Sequence, residues 1–227
     1  MTAAGGATRE LSRATAKRTI TVLNRPVARR RLRRAVEDRS APLKLEVGSS
    51  RTTRPGWVAT DVGWRARHWL DVTAPWPVPA GSVSHVYGDN VIEHLPLDGA
   101  RAFFRHAHRA LRPGGRIRLV SPDAERYARM YLEGGELRDR HVDRSLRHGY
   151  RVDHDVSLLR SVFVDCGHHE GYIWDLAAAT AELEAAGFTA VRRCPVGASD
   201  DPELCGLEAR TEPSDRVLQL VVEALRP

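Results

Sequence analysis

The chain has 227 residues, enough for one sizeable hydrophobic core and too few for two comfortable ones. With 42% apolar and 28% charged residues, it has the composition of a soluble globular protein. No run approaches the roughly 18 consecutive apolar residues of a membrane span, which excludes a spanning helix.

Three cysteines (Cys166, Cys194 and Cys205) form neither a CxxC pair nor an even disulfide set, so reduced thiols in a cytoplasmic protein are expected. The net charge of +6 is unevenly placed. Residues 9–39 carry eleven Lys or Arg against Glu10, Glu37 and Asp38, which is more than the whole excess. Arg29-Arg30-Arg31 runs into Leu32-Arg33-Arg34 rather than an apolar stretch, unlike a secretory leader. One reading of the segment is an arm that attracts nucleic acid, anionic lipid or an acidic glycan. The other is a solvated helix whose Ile20, Leu23, Val27, Leu32 and Val36 lean on the domain, or on a second copy in a homodimer.

In chain order, residues 1–8 read as a disordered polar start and 9–39 as helix interrupted near Pro26. Strands follow at Leu43–Val47, Trp57–Asp61, near Trp69–Val72, and at Val83–Tyr87, the last two separated by a proline-punctuated loop, Pro75–Pro79. A helix over Asp98–Leu111 has Ala102, Phe103, Ala107, Ala110 and Leu111 near helical spacing, and stops at Arg112-Pro-Gly-Gly115. Arg116–Val120 alternates as a strand and runs into Ser121-Pro-Asp123. Residues 124–170 are charged and histidine-rich and break the pattern. A helix over Leu176–Ala186 ends at Gly187, and strands at Val191–Val196 and Val217–Glu223 close the chain, joined by a polar turn with no helix. Alternating strands and helices argue for an α/β fold with a mostly parallel sheet and helices on both faces, and the last two strands for an antiparallel hairpin.

In such a sheet ligands bind beyond the carboxyl ends of the strands, where strand order switches. Glu46, Asp61 and Asp71 fall near three of those ends, and the small turn Gly48-Ser49-Ser50 lets a ligand approach the backbone. Any one of these is weak alone, since an Asp at a strand end is commonly a turn former. Their order and spacing together carry the weight.

Leu45-Glu-Val-Gly-Ser-Ser50 resembles the first motif of class I S-adenosylmethionine-dependent methyltransferases, whose common form is Leu-Asp-x-Gly-x-Gly. Asp71–Val86 is similar to their acidic–Leu-Pro–Asp-Ser-Phe-Asp segment. Asn90–Leu95 resembles their Val-Leu-Glu-His, and Ala110-Leu-Arg-Pro-Gly-Gly115 is the most recognisable piece. Ala185–Phe188 and Leu218–Glu223 match the family's last helix and hairpin. The likeness covers about residues 43–224 and implies a seven-stranded-type sheet with a helical insertion, 124–170, serving as substrate lid. Residues 1–40 would form the basic helical arm and 41–227 the methyltransferase domain. Ser50 departs from the motif's second glycine. The short connection to the second strand leaves no room for the usual helix, a shortening shared by a compact subgroup with Gly-Trp, here Gly56-Trp57.

The resemblance implies S-adenosylmethionine as cofactor, with Glu46, Gly48 and Ser49 bordering its methionine part and Asp61 holding the ribose. Asp71 and the Val72 backbone would meet the adenine, and Asn90 would lie near the sulfonium. Methyl transfer is an in-line displacement, and a hydroxyl acceptor must also lose its proton to a base or a metal. The insertion offers His141, Asp143, His148, His154, Asp155, His168, His169 and Glu170. His169 or His168 is the expected base, with Asp123 and His94 as further candidates. Magnesium would need only one or two carboxylates and waters, so no ligand set is legible. No zinc-type spacing is present, and histidines in a charged segment are most often merely solvated. The Asn/Asp-Pro-Pro-Tyr/Phe motif of adenine-amino enzymes and the Pro-Cys of cytosine-C5 enzymes are absent. A sugar, oligosaccharide or other small-molecule hydroxyl is therefore the expected acceptor, with Trp57, Trp64, Trp69, Trp76 and Trp174 as stacking faces or core. Alternatives are an RNA or protein methyltransferase that uses the basic arm, and a non-catalytic cofactor-binding partner subunit.

Overall fold

The computed structural model describes residues 22–38, 41–49, 52–208, 210 and 212–227. The expected disordered start and the first part of the basic arm, with Ile20, lie outside the described residues. Helix α1 covers residues 22–37 and continues across Pro26, where an interruption was expected. The ring nitrogen only withholds a hydrogen from the carbonyl of residue 22, at the beginning of the described helix.

Strands β1 (Leu43–Val47), β2 (Val58–Asp61), β3 (His68–Trp69) and β4 (Val83–Asp89) lead to helix α2 (Leu97–Ala110) and strand β5 (Leu111–Pro122). Helices α3 (Ala124–Glu133), α4 (Gly135–Arg147) and α5 (Val156–Arg160) form the insertion, which ends in a π turn at Ser161–Asp165 and a 3-10 turn at His168–Glu170. Helix α6 (Leu176–Ala185), strand β6 (Thr189–Arg193), helix α7 (Pro213–Leu218) and strand β7 (Gln219–Leu225) complete the chain. The seven strands form one sheet in the order β3-β2-β1-β4-β5-β7-β6. Pairings from β3 to β5 are parallel, and β7 runs antiparallel to both β5 and β6. This is the expected α/β sheet with its antiparallel ending, and strand order switches beside β1 and β4.

Several boundaries differ from expectation. β3 is only two residues long, so Asp71 and Val72 lie in the turn after it: the Asp71 carboxylate accepts from the Thr73 amide (3.0 Å) and hydroxyl (2.7 Å), closing a local turn that competes with strand pairing. Pro113-Gly114-Gly115 stops the helix but sits inside β5 as a bulge. Val83 pairs with Leu111 and His85 with Arg116, leaving Arg112–Gly115 looped out. The β6–β7 connection does contain a helix, α7, which begins at Pro213. Between β1 and β2 the described residues contain no helix, in accord with the short connection.

Apolar residues of β1, β4 and β5 (Leu45, Val47, Val86, Ile117) pack against Phe103 and Phe104 of α2 and Leu183 of α6 in the main core. Leu32 of α1 joins this core fully buried, and Val36 packs against it, whereas Leu23 and Val27 stay exposed. The arm's apolar stripe is therefore split between domain and surface. Asn24 donates to the Ala66 carbonyl (2.9 Å), and Arg25 and Arg29 lie over the Trp69 ring at 4.2 and 4.4 Å. The insertion has a small core of its own, in which Tyr127, Met130, Leu158 and Val162 meet Leu218 of α7.

The guanidinium of Arg118 is wholly enclosed. Arg118 of β5 donates to Glu208 (2.7 and 2.9 Å) and to Glu223 of β7 (2.5 Å), and further to the Ala198 carbonyl. It fastens the loop after β6 to the sheet. Breaking a buried pair on one side strands the partner charges, so Arg118→Ala is expected to cost about 3–5 kcal/mol of stability in chemical denaturation. An isosteric Arg118→Met paired with Glu208→Gln and Glu223→Gln should recover much of that loss.

Candidate functional site

The site grows from the carboxyl ends of β1 and β4. Gly48 turns the chain after β1 with φ +63°, and a Cβ there would run into the side chain of Val91. The missing Cβ leaves room for Val91, so the turn packs tightly on the segment that follows β4. Just before it, Glu46 is buried, with Oε1 3.3 Å from Arg54 Nε and Oε2 without any hydrogen-bond partner. Burial raises its pKa, against the opposing charge of Arg54. An orphaned carboxylate oxygen beside the glycine turn fits the ammonium of a methionine moiety. Ser49 is buried and its amide bonds to the Thr60 carbonyl (3.0 Å), tying the turn to β2. Asp61 closes β2, and its Oδ1 accepts from the Gly63 amide at 2.6 Å. Asp71 and Val72 follow β3, Val72 in the core and Asp71 lining a cavity of about 220 Å³ roofed by Arg29 and Arg33 of α1.

Asn90 follows β4 with φ +55°, and its side chain accepts from Arg210, which also pairs with Asp89. Asn90 borders a cavity of about 420 Å³ between the sheet end and the insertion, lined also by Tyr127, His141, Arg144, Tyr150 and His168. The histidines expected as candidates separate here. His168 is buried and lines the cavity, while His169 is exposed, with Nδ1 3.1 Å from the Val164 carbonyl, and is not among the cavity residues. Asp123 is fully buried but committed: it caps α3 at the Arg126 amide (3.4 Å) and forms an ion pair with Arg193. Asp155 pairs with Arg138 at 3.0 Å, and Asp143 and His154 face solvent. None of the five tryptophans lines the larger cavity; Trp69, Trp76 and Trp174 are buried.

His94 lies in the 3-10 turn Ile92–His94, and its ring meets that of His168 edge to face at 4.7 Å. Glu93 beside it is 2% exposed, and neither of its carboxylate oxygens has a hydrogen-bond partner. One donor atom from each of Glu93, His94 and His168 falls within 4.8 Å of the others. Burial pushes the Glu93 carboxyl up to about 8. Burial first, and then the charge of His94, lowers the His168 imidazole to about 4, and burial also lowers His94.

Sequence reasoning missed Glu93, Arg210 and the Arg144–Asp215 pair (2.7 Å) at the cavity wall. Glu93 was visible only as part of a motif. Arg210 comes from a loop far along the chain, with no local signal.

No family model matches the chain, and no curated protein matches it. Solved structures do. The CurJ carbon methyltransferase is 13% identical with a TM-score of 0.48, over 82% of this chain and 49% of that one. A protein in complex with the Haloferax volcanii Trm112 methyltransferase activator is 12% identical with a TM-score of 0.45, over 91% and 93% of the two chains. A phosphoethanolamine N-methyltransferase of Haemonchus contortus, bound to S-adenosyl-L-methionine, is 10% identical with a TM-score of 0.43, over 86% and 52%. The chain spans about half the length of the first two solved structures it matches. None of the described helices is long and apolar enough to cross a membrane.

The two perturbed groups act in opposite directions on stability. Folding favours neutral Glu93, so its contribution is full below its ordinary pKa of 4.5 and fades as pH rises through 8. Folding favours neutral His168, so that contribution is full above 6.5 and fades as pH falls toward 4. With the small opposing gain from His168 above pH 6, chelator-treated protein is expected to lose about 2 kcal/mol net between pH 6 and pH 9 in urea unfolding. Glu93→Gln should abolish that loss.

Proposed function

We propose that the protein is an S-adenosylmethionine-dependent methyltransferase that methylates a hydroxyl of a sugar or other small polar molecule. The observation that carries this reading is the buried Glu46, with one carboxylate oxygen unpartnered beside the tight Gly48 turn at the carboxyl end of β1. On this reading Glu46 and the Gly48-Ser49 backbone receive the methionine end, Asp61 the ribose hydroxyls, and Asp71 with the Val72 backbone the adenine. The bound cofactor supplies a methyl group on a positively charged sulfur.

The chain's own task is to hold the acceptor and to manage its proton. Tyr127, Tyr150 and Arg144 give the cavity wall donors suited to a polyhydroxylated molecule. His168, neutral at physiological pH, takes the hydroxyl proton, and His94 beside it can share that charge. The acceptor oxygen forms the new O–C bond while the methyl–sulfur bond breaks, its electron pair staying on sulfur. The exposed His169 is no longer the first choice for base.

A second reading keeps the cofactor but makes the acceptor a polyanion such as RNA. It is favoured by an open groove lined by Arg31, Arg34, Arg67 and His68, where no carboxylate pairs with these arginines among the described residues. It requires steeply salt-dependent binding of RNA that disappears when Arg31, Arg34 and Arg67 are replaced by glutamine.

Calorimetry should give one S-adenosylmethionine per chain, and Asp61→Ala should weaken it at least tenfold; no binding to the intact chain would end the enzyme reading. In a screen of labelled methyl transfer to sugars, RNA and small phenols, a sugar or phenol acceptor is expected. With that acceptor, His168→Ala should lower kcat by about 10²–10⁴-fold with little change in KM.

A further inference from the structure

We infer that Glu93, His94 and His168 form a binding site for a first-row transition-metal dication, opening onto the larger cavity. The inference goes beyond the proposed activity, and ion binding itself does not depend on it. Three donor atoms, two of them imidazole nitrogens and one a carboxylate oxygen, converge within 4.8 Å of one another, so that small side-chain rotations bring them into the shell of one ion. Glu93 is enclosed, with both oxygens unpartnered, and the Nδ1 of His168 is likewise buried without a partner. Buried polar groups are ordinarily hydrogen-bonded, and leaving three such atoms idle at one point costs the fold free energy that a ligand would return.

The supports behind the three residues are those expected of a coordination site. Gly171 brings its backbone so close to Glu93 and His94 that a Cβ would collide with the Glu93 carbonyl, and Trp174 Nε1 donates to the Ile92 carbonyl at 3.1 Å. The 3-10 turn carrying two of the donors is thus clamped from the insertion's end, which carries the third.

Donor chemistry selects the ion. Two imidazoles and one carboxylate suit zinc, cobalt, manganese or iron(II) better than magnesium, which takes oxygen ligands almost exclusively. Carboxylates that a magnesium ion could have used are committed elsewhere among the described residues: Asp123 pairs with Arg193, Asp155 with Arg138 and Asp215 with Arg144. Three protein ligands leave positions for an oxygen from the cavity, where His168 already stands. An ion there would hold an acceptor oxygen and favour its ionisation, taking over the role given above to the imidazole pair.

The test is titration of chelator-treated full-length protein with Co²⁺, followed by visible d–d absorption and by calorimetry. One ion per chain is expected, with affinity falling at least tenfold in Glu93→Gln, His94→Ala and His168→Ala and unchanged in His169→Ala. His94 is exposed, so its variant should fold, and equal thermal melts without metal would verify that. Absence of a d–d band, or equal Co²⁺ affinity in His94→Ala and the intact chain, would overturn the inference. Parallel S-adenosylmethionine calorimetry separates the two readings: cofactor binding without cobalt binding sinks only the metal site, and the converse sinks only the methyltransferase.

Discussion

The turn from Asn90 to His94 is where the structure is most constrained, and the candidate site depends on it. It rests on the β1 turn at Gly48, whose missing Cβ leaves room for Val91, and it is pressed from the other side by Gly171, whose missing Cβ leaves room for the Glu93 backbone. Gly88, one step earlier in β4, has Val47 and Leu119 against the place a Cβ would take. Close packing of this kind transmits small volume changes directly. The turn therefore couples the strand ends that would hold a cofactor to the insertion that builds the cavity wall. Asn90 belongs to both: it follows β4 and borders the cavity.

The sheet was largely legible because its signals are local and repeated. Leu43–Val47 and the helix before Pro113-Gly-Gly115 announce themselves by apolar periodicity and by residues that stop a helix. The acidic residues at strand ends stood out because a charge there is hard to explain as core. Where local chemistry competed, the reading slipped: Asp71 closes a turn with Thr73 rather than ending a strand, and Pro213 starts a short helix inside what looked like a bare hairpin loop. The roles of the histidines were not legible. His168 and His169 are neighbours of the same type, and only the tertiary fold sends one into the cavity and the other to the Val164 carbonyl.

The basic segment shows how charge alone misleads about position. Ala28 and Leu32 bury themselves while the arginines around them remain at the surface, Arg25 and Arg29 spread over Trp69. Their guanidiniums shield an indole whose own Nε1 is buried without a partner, so part of the arm's charge serves packing. Arg29 and Arg33 also roof the small cavity at Asp71, which places the helix against the adenine end of the proposed cofactor site. The described part of the arm, residues 22–38, is thus part of the domain's edge, and a polyanion bound along Arg31, Arg34 and Arg67 would lie next to that edge.

The polar groups of the larger cavity fall into two kinds, and the difference bears on what it would accept. Arg144 is neutralised by Asp215 and Arg210 by Asp89, so the guanidiniums in the wall carry little net charge toward a ligand. A strongly anionic acceptor would have to compete with carboxylates already in place, whereas a neutral polyhydroxylated one could use the remaining donors and acceptors without displacing them. Glu93, His94 and His168 are the opposite kind, with lone pairs and no partner charge. The fold pairs buried charges elsewhere, as with Arg118 between two glutamates, but leaves this cluster as an electrostatic deficit that reaches the cavity wall at His168. A deficit of that sort is relieved by protonation, by a cation or by the proton of a bound hydroxyl, and each of these would be found at the point where the proposed chemistry requires a proton to leave.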